Sequence, residues 1–220
     1  MLAIYQQLRQ AGYTDDRIIL IVEDDIADNV SNPNKGVIQV TIGGNNVYEN
    51  VEIDYRMSSL KAKDILAILN GEKSESLPTV IESTENDNLF VFWSGHGVPG
   101  AMCWDEEPYA MTGDDLSTVF KDMNLKRRYR KLLMMVEACF SGGVMEQCEG
   151  IPGMLFITAA NGDETSKADV FNGEMKVWMS NRFTSTFIEQ ITDNKDVAMR
   201  DLYYRLFINT CLLYTSDAAD

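Results

Sequence analysis

The chain has 220 residues, 45% apolar and 24% charged, enough for one domain with a sizeable core. Acidic residues outnumber basic ones 34 to 19, and a net charge of −15 with a sequence pI near 4.4 repels nucleic acid and anionic membranes. No apolar run approaches the roughly 18 residues of a membrane span, no signal-peptide pattern follows Met1, and four cysteines at non-motif spacings with one histidine support no metal site and imply no cofactor.

In chain order, Leu2 to Ala11 carries Ile4, Leu8 and Ala11 at helical spacing and stops at Gly12, which predicts a short amphipathic helix. Arg17 to Val22 reads as a buried strand ending in Glu23, Asp24 and Asp25. Asp28 to Asn50 is rich in Asn, Gly and Ser and predicts a long surface loop or small hairpin. Ser58 and Ser59 are candidate caps for a helix whose apolar face is Ala62, Ile65, Leu66 and Leu69, ended by Gly71.

Leu89 to Trp93 is a second buried strand, followed by Ser94, Gly95, His96 and Gly97. A hairpin around Ala101 to Trp104 and Pro108 to Met111 comes next, and Thr112 caps a helix from Asp115 to Met123. The basic run Lys126, Arg127, Arg128, Arg130 and Lys131 reads as a solvated turn. Lys131 to Glu137 is a strand buried on both faces, leading into Ala138, Cys139, Phe140, Ser141, Gly142 and Gly143. Gly153 to Ala159 is a further apolar run with a polar loop, Asn161 to Asp169, at its end. Phe183, Phe187 and Ile191 mark one helix, and Met199, Leu202, Tyr203 and Leu206 another. Four buried runs alternating with helices predict an α/β fold, a mainly parallel sheet with helices on both faces, as one domain.

In such sheets ligands bind beyond the carboxyl ends of the strands. Two strands therefore bring His96 and Cys139 to one rim. A thiolate attacks a peptide carbonyl, and an imidazole nearby lowers the thiol pKa or protonates the leaving amine. Gly97, without a Cβ, lets the backbone approach a substrate, and its N–H with that of Cys139 suits an oxyanion hole. Read alone, a cysteine after an apolar run is an inert core residue and a histidine in a Gly-rich turn is structural; their convergence on one rim is what favours catalysis.

These residues, Ser94-Gly95-His96-Gly97 and then Glu137-Ala138-Cys139-Phe140-Ser141-Gly142, resemble the caspase-fold cysteine peptidases of family C13. That family includes legumains and the catalytic subunit of the GPI transamidase. The stretch Arg17 to Asn29, the Val51 to Tyr55 segment with its following helix, and Thr158-Ala159-Ala160-Asn161 are similar as well. The resemblance implies a caspase/legumain-like three-layer sandwich, Cys139 as nucleophile, His96 as its imidazole partner and Gly97 as oxyanion donor. It also implies Glu137, Thr165 and Ser166 as substrate-site residues, a peptide or protein as substrate, and an exported parent protein. Oligomeric state stays open.

Three departures accompany it. Family members carry a first strand ahead of the segment matching residue 1, with an Asn and basic residues near the site, so an N-terminally truncated catalytic domain over 1–210 is expected. Legumains place an acid before the Trp that matches Trp178, whereas Met175, Lys176 and Val177 stand here, leaving cleavage after Asn or Asp open. Cys211 to Asp220 resembles translated sequencing adapter and is expected to be non-native. The expected activity is a cysteine endopeptidase working through a thioester acyl-enzyme. The alternatives are a transamidase with the same dyad and a catalytically silent homologue. Glu23, Asp24 and Asp25 also suggest the acidic pocket of a phosphate-accepting receiver domain, but that domain's phosphate-accepting Asp and its Lys are not evident.

Overall fold

The computed structural model describes residues 1–104, 111–194 and 196–210. Its elements, in order, are α1 (Leu2–Gln10), β1 (Ile21–Val22), β2 (Tyr55–Arg56), α2 (Ala62–Asn70), β3 (Asn88–Ser94), β4 (Gly97–Val98), β5 (Ala101–Met102) and β6 (Met111–Thr112). They continue with α3 (Gly113–Leu125), β7 (Lys131–Glu137), α4 (Ser141–Met145), β8 (Met154–Thr158), β9 (Ala168–Asn172), β10 (Val177–Asn181), α5 (Arg182–Asp193) and α6 (Met199–Thr210). The chain divides into two compact units. One comprises Met1–Ile18, Glu23–Glu52 and the chain from Ser166 on; the other comprises Ile19–Val22 and Ile53–Thr165.

The second unit is built on a parallel sheet ordered β3-β7-β8. Strand β3 pairs with β7 from Asn88↔Lys131 to Ser94↔Glu137, and β7 pairs with β8 from Leu132↔Met154 to Val136↔Thr158. Central β7 has both faces covered: Leu132, Met134, Met135 and Val136 are all buried, as its unbroken apolar run predicts. Helix α3 presses Leu116, Phe120 and Met123, each fully buried, into the core around this sheet, and α2 adds Ile65, Ile68 and Leu69. Each such side chain contributes about 1.5–3 kcal/mol on leaving water. The result is the expected mixed α/β architecture with a parallel sheet.

Helix ends are fixed by side chains. At α3 the Thr112 hydroxyl accepts the Asp115 N–H at 3.2 Å while the Asp115 carboxylate accepts the Thr112 N–H at 3.0 Å, a reciprocal cap. At α2 the expected serine caps are replaced. Met57–Ser59 forms a 3-10 turn, Ala62 opens the helix, and the Asp64 carboxylate accepts the Lys61 N–H at 2.8 Å. Gly71 ends α2 with φ of +69°, and Arg128 Nη2 donates to the carbonyls of Asn70 (2.9 Å) and Gly71 (3.2 Å). The basic run is thus partly spent on structure, with Arg127 against Glu85 at 3.2 Å and Arg130 Nε donating to Asn88 Oδ1 at 3.1 Å.

One expected strand is much shorter than its apolar run. Only Ile21–Val22 pairs, in parallel with Tyr55–Arg56, because Asp15–Arg17 turns as a 3-10 helix and Leu20 uses other partners. The Leu20 N–H donates to the Asp54 carboxylate at 2.8 Å, and the Leu20 carbonyl accepts from Asp54 N–H at 3.0 Å. The expected hairpin after Gly97 is present as the antiparallel set β4-β5-β6; Pro108 to Ala110 lie outside the described residues, as does the 211–220 tail.

In the first unit, α5 packs against α6 and α1, burying Phe183, Phe187, Leu202, Leu206, Ile4 and Tyr5. Residues 26–50 form a loop without regular elements, and asparagine side chains satisfy its backbone. Asn32 Nδ2 donates to the carbonyls of Ile26, Ala27 and Val37, and Asn46 Oδ1 accepts from Ile38 and Tyr48 N–H. Strands β9 and β10 form an antiparallel hairpin that the sequence pattern did not announce. It exposes Phe171 (48%) and Trp178 (60%), whose rings lie 5.1 Å apart.

Candidate active site

The Ser94↔Glu137 pair is the last rung of the β3–β7 ladder, and the Gly95 N–H donates to the Glu137 carbonyl at 3.1 Å, carrying the pairing one step on. His96 and Cys139 each lie two residues beyond that rung. Parallel register therefore delivers both to the carboxyl edge of one sheet, where open α/β folds bind ligands. Beyond His96 the chain enters β4, and the His96 carbonyl accepts the Cys103 N–H at 3.0 Å. The histidine thus joins two sheets with its main chain held, and the residue itself is exposed.

Gly97 closes the gap between the two loops. An added Cβ there would lie 2.1 Å from the Cys139 carbonyl oxygen and 3.3 Å from the Ala138 Cβ, so no side chain fits without moving backbone. This contact, rather than a turn requirement, accounts for glycine at position 97.

The half-buried Cys139 sits on a sharp turn from β7 into α4. Phe140 adopts φ of +56° and donates its N–H to the Glu164 carbonyl at 2.8 Å. The Gly142 N–H donates to the Ala160 carbonyl at 3.0 Å, and a Cβ on Gly142 would stand 2.8 Å from the Asn161 Cα. The loop after β8 therefore lies directly on the cysteine turn. The polar loop Asn161 to Asp169 reads from the sequence as part of the same rim, but nothing in the sequence singled out Glu164 within it.

Glu137 is fully buried, two residues before the cysteine. Thr165 is exposed and follows Glu164, while half-buried Ser166 opens the stretch that belongs to the first unit. Cys139, His96, Gly97 and Glu137 thus share one strand edge, and Thr165 adjoins the loop latched onto it. Cys148 differs: it is completely buried, and burial pushes its thiol up to about 11, which leaves it protonated and inert at neutral pH. Among the described residues Cys103, Cys139 and Cys148 form no disulfide, no group of three or more His, Cys, Asp or Glu is placed to hold a metal ion, and no helix is long and apolar enough to cross a membrane.

Comparison with known proteins places the chain among its relatives. Legumain of Rattus norvegicus is 29% identical over 203 residues, covering 90% of this chain and 46% of its own length. Vacuolar-processing enzyme of Vicia sativa is 36% identical over 168 residues, covering 74% of this chain and 34% of its own. Hemoglobinase of Schistosoma mansoni is 36% identical over 166 residues, covering 74% and 37%. This chain spans 34–46% of the length of these relatives. The Peptidase C13 family model matches residues 1–207, and the chain accordingly belongs to the peptidase C13 family.

Proposed function

We propose that this chain carries the catalytic centre of a cysteine-type endopeptidase acting on peptide or protein substrates. The Cys139 thiolate attacks the scissile carbonyl carbon, and the resulting oxyanion is held by the N–H groups of Gly97 and Cys139. His96 takes the thiol proton and returns it to the leaving amine as the C–N bond breaks, which leaves a thioester on Cys139. Water, activated by the same imidazole, then hydrolyses the thioester and regenerates the thiol. Glu137 and Thr165 shape the pocket for the residue ahead of the scissile bond, Thr165 from the exposed loop and Glu137 from its buried place at the strand end, with Asn or Asp as the side chains it takes.

The observation that carries this reading is the shared register of β3 and β7, which ends at Ser94↔Glu137 and leaves His96 and Cys139 equally far beyond it, with Gly97 against the Cys139 carbonyl. The test is cleavage of a peptide library by the chain beside its Cys139→Ala and His96→Ala variants, with an added amine to reveal any transfer of the acyl group. Cleavage after Asn or Asp that both substitutions abolish is expected. A folded chain that cuts no peptide and whose Cys139 resists a thiol-directed peptide probe would sink the proposal.

A further inference from the structure

The turn that presents Cys139 is held from outside its own strand. Phe140, the next residue, sits at φ of +56°, where a residue bearing a Cβ is disfavoured unless its surroundings hold it there. What holds it is the loop after β8. The Phe140 N–H donates to the Glu164 main-chain carbonyl at 2.8 Å, and the Ala160 carbonyl accepts from Gly142 N–H at 3.0 Å and from the Ser141 hydroxyl at 3.3 Å. That loop is folded in turn by Glu164 itself, whose carboxylate accepts the Asn161 N–H at 3.0 Å. One residue therefore closes the loop with its side chain and grips the cysteine turn with its backbone.

We infer that Glu164 is a positioning residue of the candidate site. Its carboxylate shapes the 161–164 turn so that its own carbonyl meets the Phe140 N–H, and that bond fixes the left-handed step that aims the Cys139 thiol. Glu164 needs no contact with substrate for this. The inference rests on the reading of Cys139 as nucleophile. Because an accepting oxygen and not a charge is required at Asn161, a glutamine retains the function and an alanine loses it.

The experiment compares Glu164→Ala and Glu164→Gln with the unaltered chain, in three readouts. One is kcat per active site, titrated with a thiol-directed peptide probe, alongside KM. Another is Tm, and the last is amide hydrogen exchange at Phe140. For Glu164→Ala the expected result is about tenfold lower kcat per titrated site with KM within threefold, as for a misplaced reacting group, and about tenfold faster Phe140 exchange. Glu164→Gln should stay within about threefold of the original on all counts. Unchanged Phe140 exchange in Glu164→Ala overturns the inference whatever the activity. So does a loss that appears only as fewer titratable sites with a lower Tm, and so does a glutamine variant no better than alanine. If the unaltered chain cleaves nothing and leaves Cys139 unlabelled, the endopeptidase reading fails and the positioning role falls with it, while accelerated exchange in Glu164→Ala would still show the latch itself to exist.

Discussion

Gly97 and Cys139 meet backbone to backbone: a Cβ on the first would stand 2.1 Å from the carbonyl oxygen of the second. The contact ties the histidine loop to the cysteine turn across two strands and leaves no slack for even a methyl group. Gly97→Ala should therefore displace one loop from the other. A misplacement near 1 Å typically costs a catalytic centre about 100-fold, and overpacking costs about 1–3 kcal/mol of stability. Peptide cleavage rates and urea unfolding check the two effects separately; unchanged kcat/KM would contradict the geometry.

The end of α2 offers a sharper contrast between strain and collision. Gly71→Ala combines a positive φ of +69° with a Cβ 2.1 Å from Arg128 Nη2 and 2.6 Å from the Ile81 carbonyl. Gly100→Ala meets a positive φ of +81° and nothing within 4 Å. The second should cost about 1 kcal/mol and the first clearly more, about 2–4 kcal/mol. Urea midpoints of the two variants should order accordingly.

The reciprocal cap at α3 is isolated enough to be measured. Thr112→Ala removes the hydroxyl that accepts the Asp115 N–H and should destabilise the chain by about 1 kcal/mol. Thr112→Ser, which keeps the oxygen, should recover most of it in the same unfolding experiment.

Stability should also fall at alkaline pH, with a definite sign. Burial raises the Cys148 thiol from 9.0 to about 11, so between those values the unfolded chain has lost a proton that the folded chain retains. The stabilisation is complete below pH 9 and is lost as pH rises toward 11, about 2 kcal/mol from this group. Burial also raises the Tyr129 hydroxyl, which adds to the decline in the same direction above pH 10. Unfolding midpoints at pH 8 and pH 10.5 should show the drop, and Cys148→Ala should flatten it.

The elements that organise the site were legible because their signals are local. Leu89–Trp93 and Leu132–Val136 are unbroken apolar runs, and the residues after them, Gly-His-Gly and Cys-Phe-Ser-Gly-Gly, stand out by contrast. Ile18 to Val22 is equally apolar, yet only two of its residues pair, because Leu20 gives its N–H to a side chain, Asp54, 34 positions away. The β9–β10 hairpin escaped for a different reason. Val170 at φ of +53° breaks the extended run, so pairing goes from Trp178↔Phe171 to Ser180↔Asp169 in unchanged register, with Val170 and Met179 left between the two rungs. The Glu164 grip on Phe140 is a bond between main-chain atoms, and no residue type announces it.

The hairpin that shows Trp178 to solvent equips the protein with its own optical reporters. Trp178 is 60% exposed in the first unit, whereas in the second Trp104 is 5% exposed and packs its ring, tilted by 48°, 5.4 Å from that of Trp93. An aqueous quencher such as iodide should extinguish the red-shifted emission of Trp178 first and leave the blue emission of the Trp93–Trp104 pair. As denaturant rises, the quenchable and protected fractions of one fluorescence spectrum will follow the two units separately, without any label.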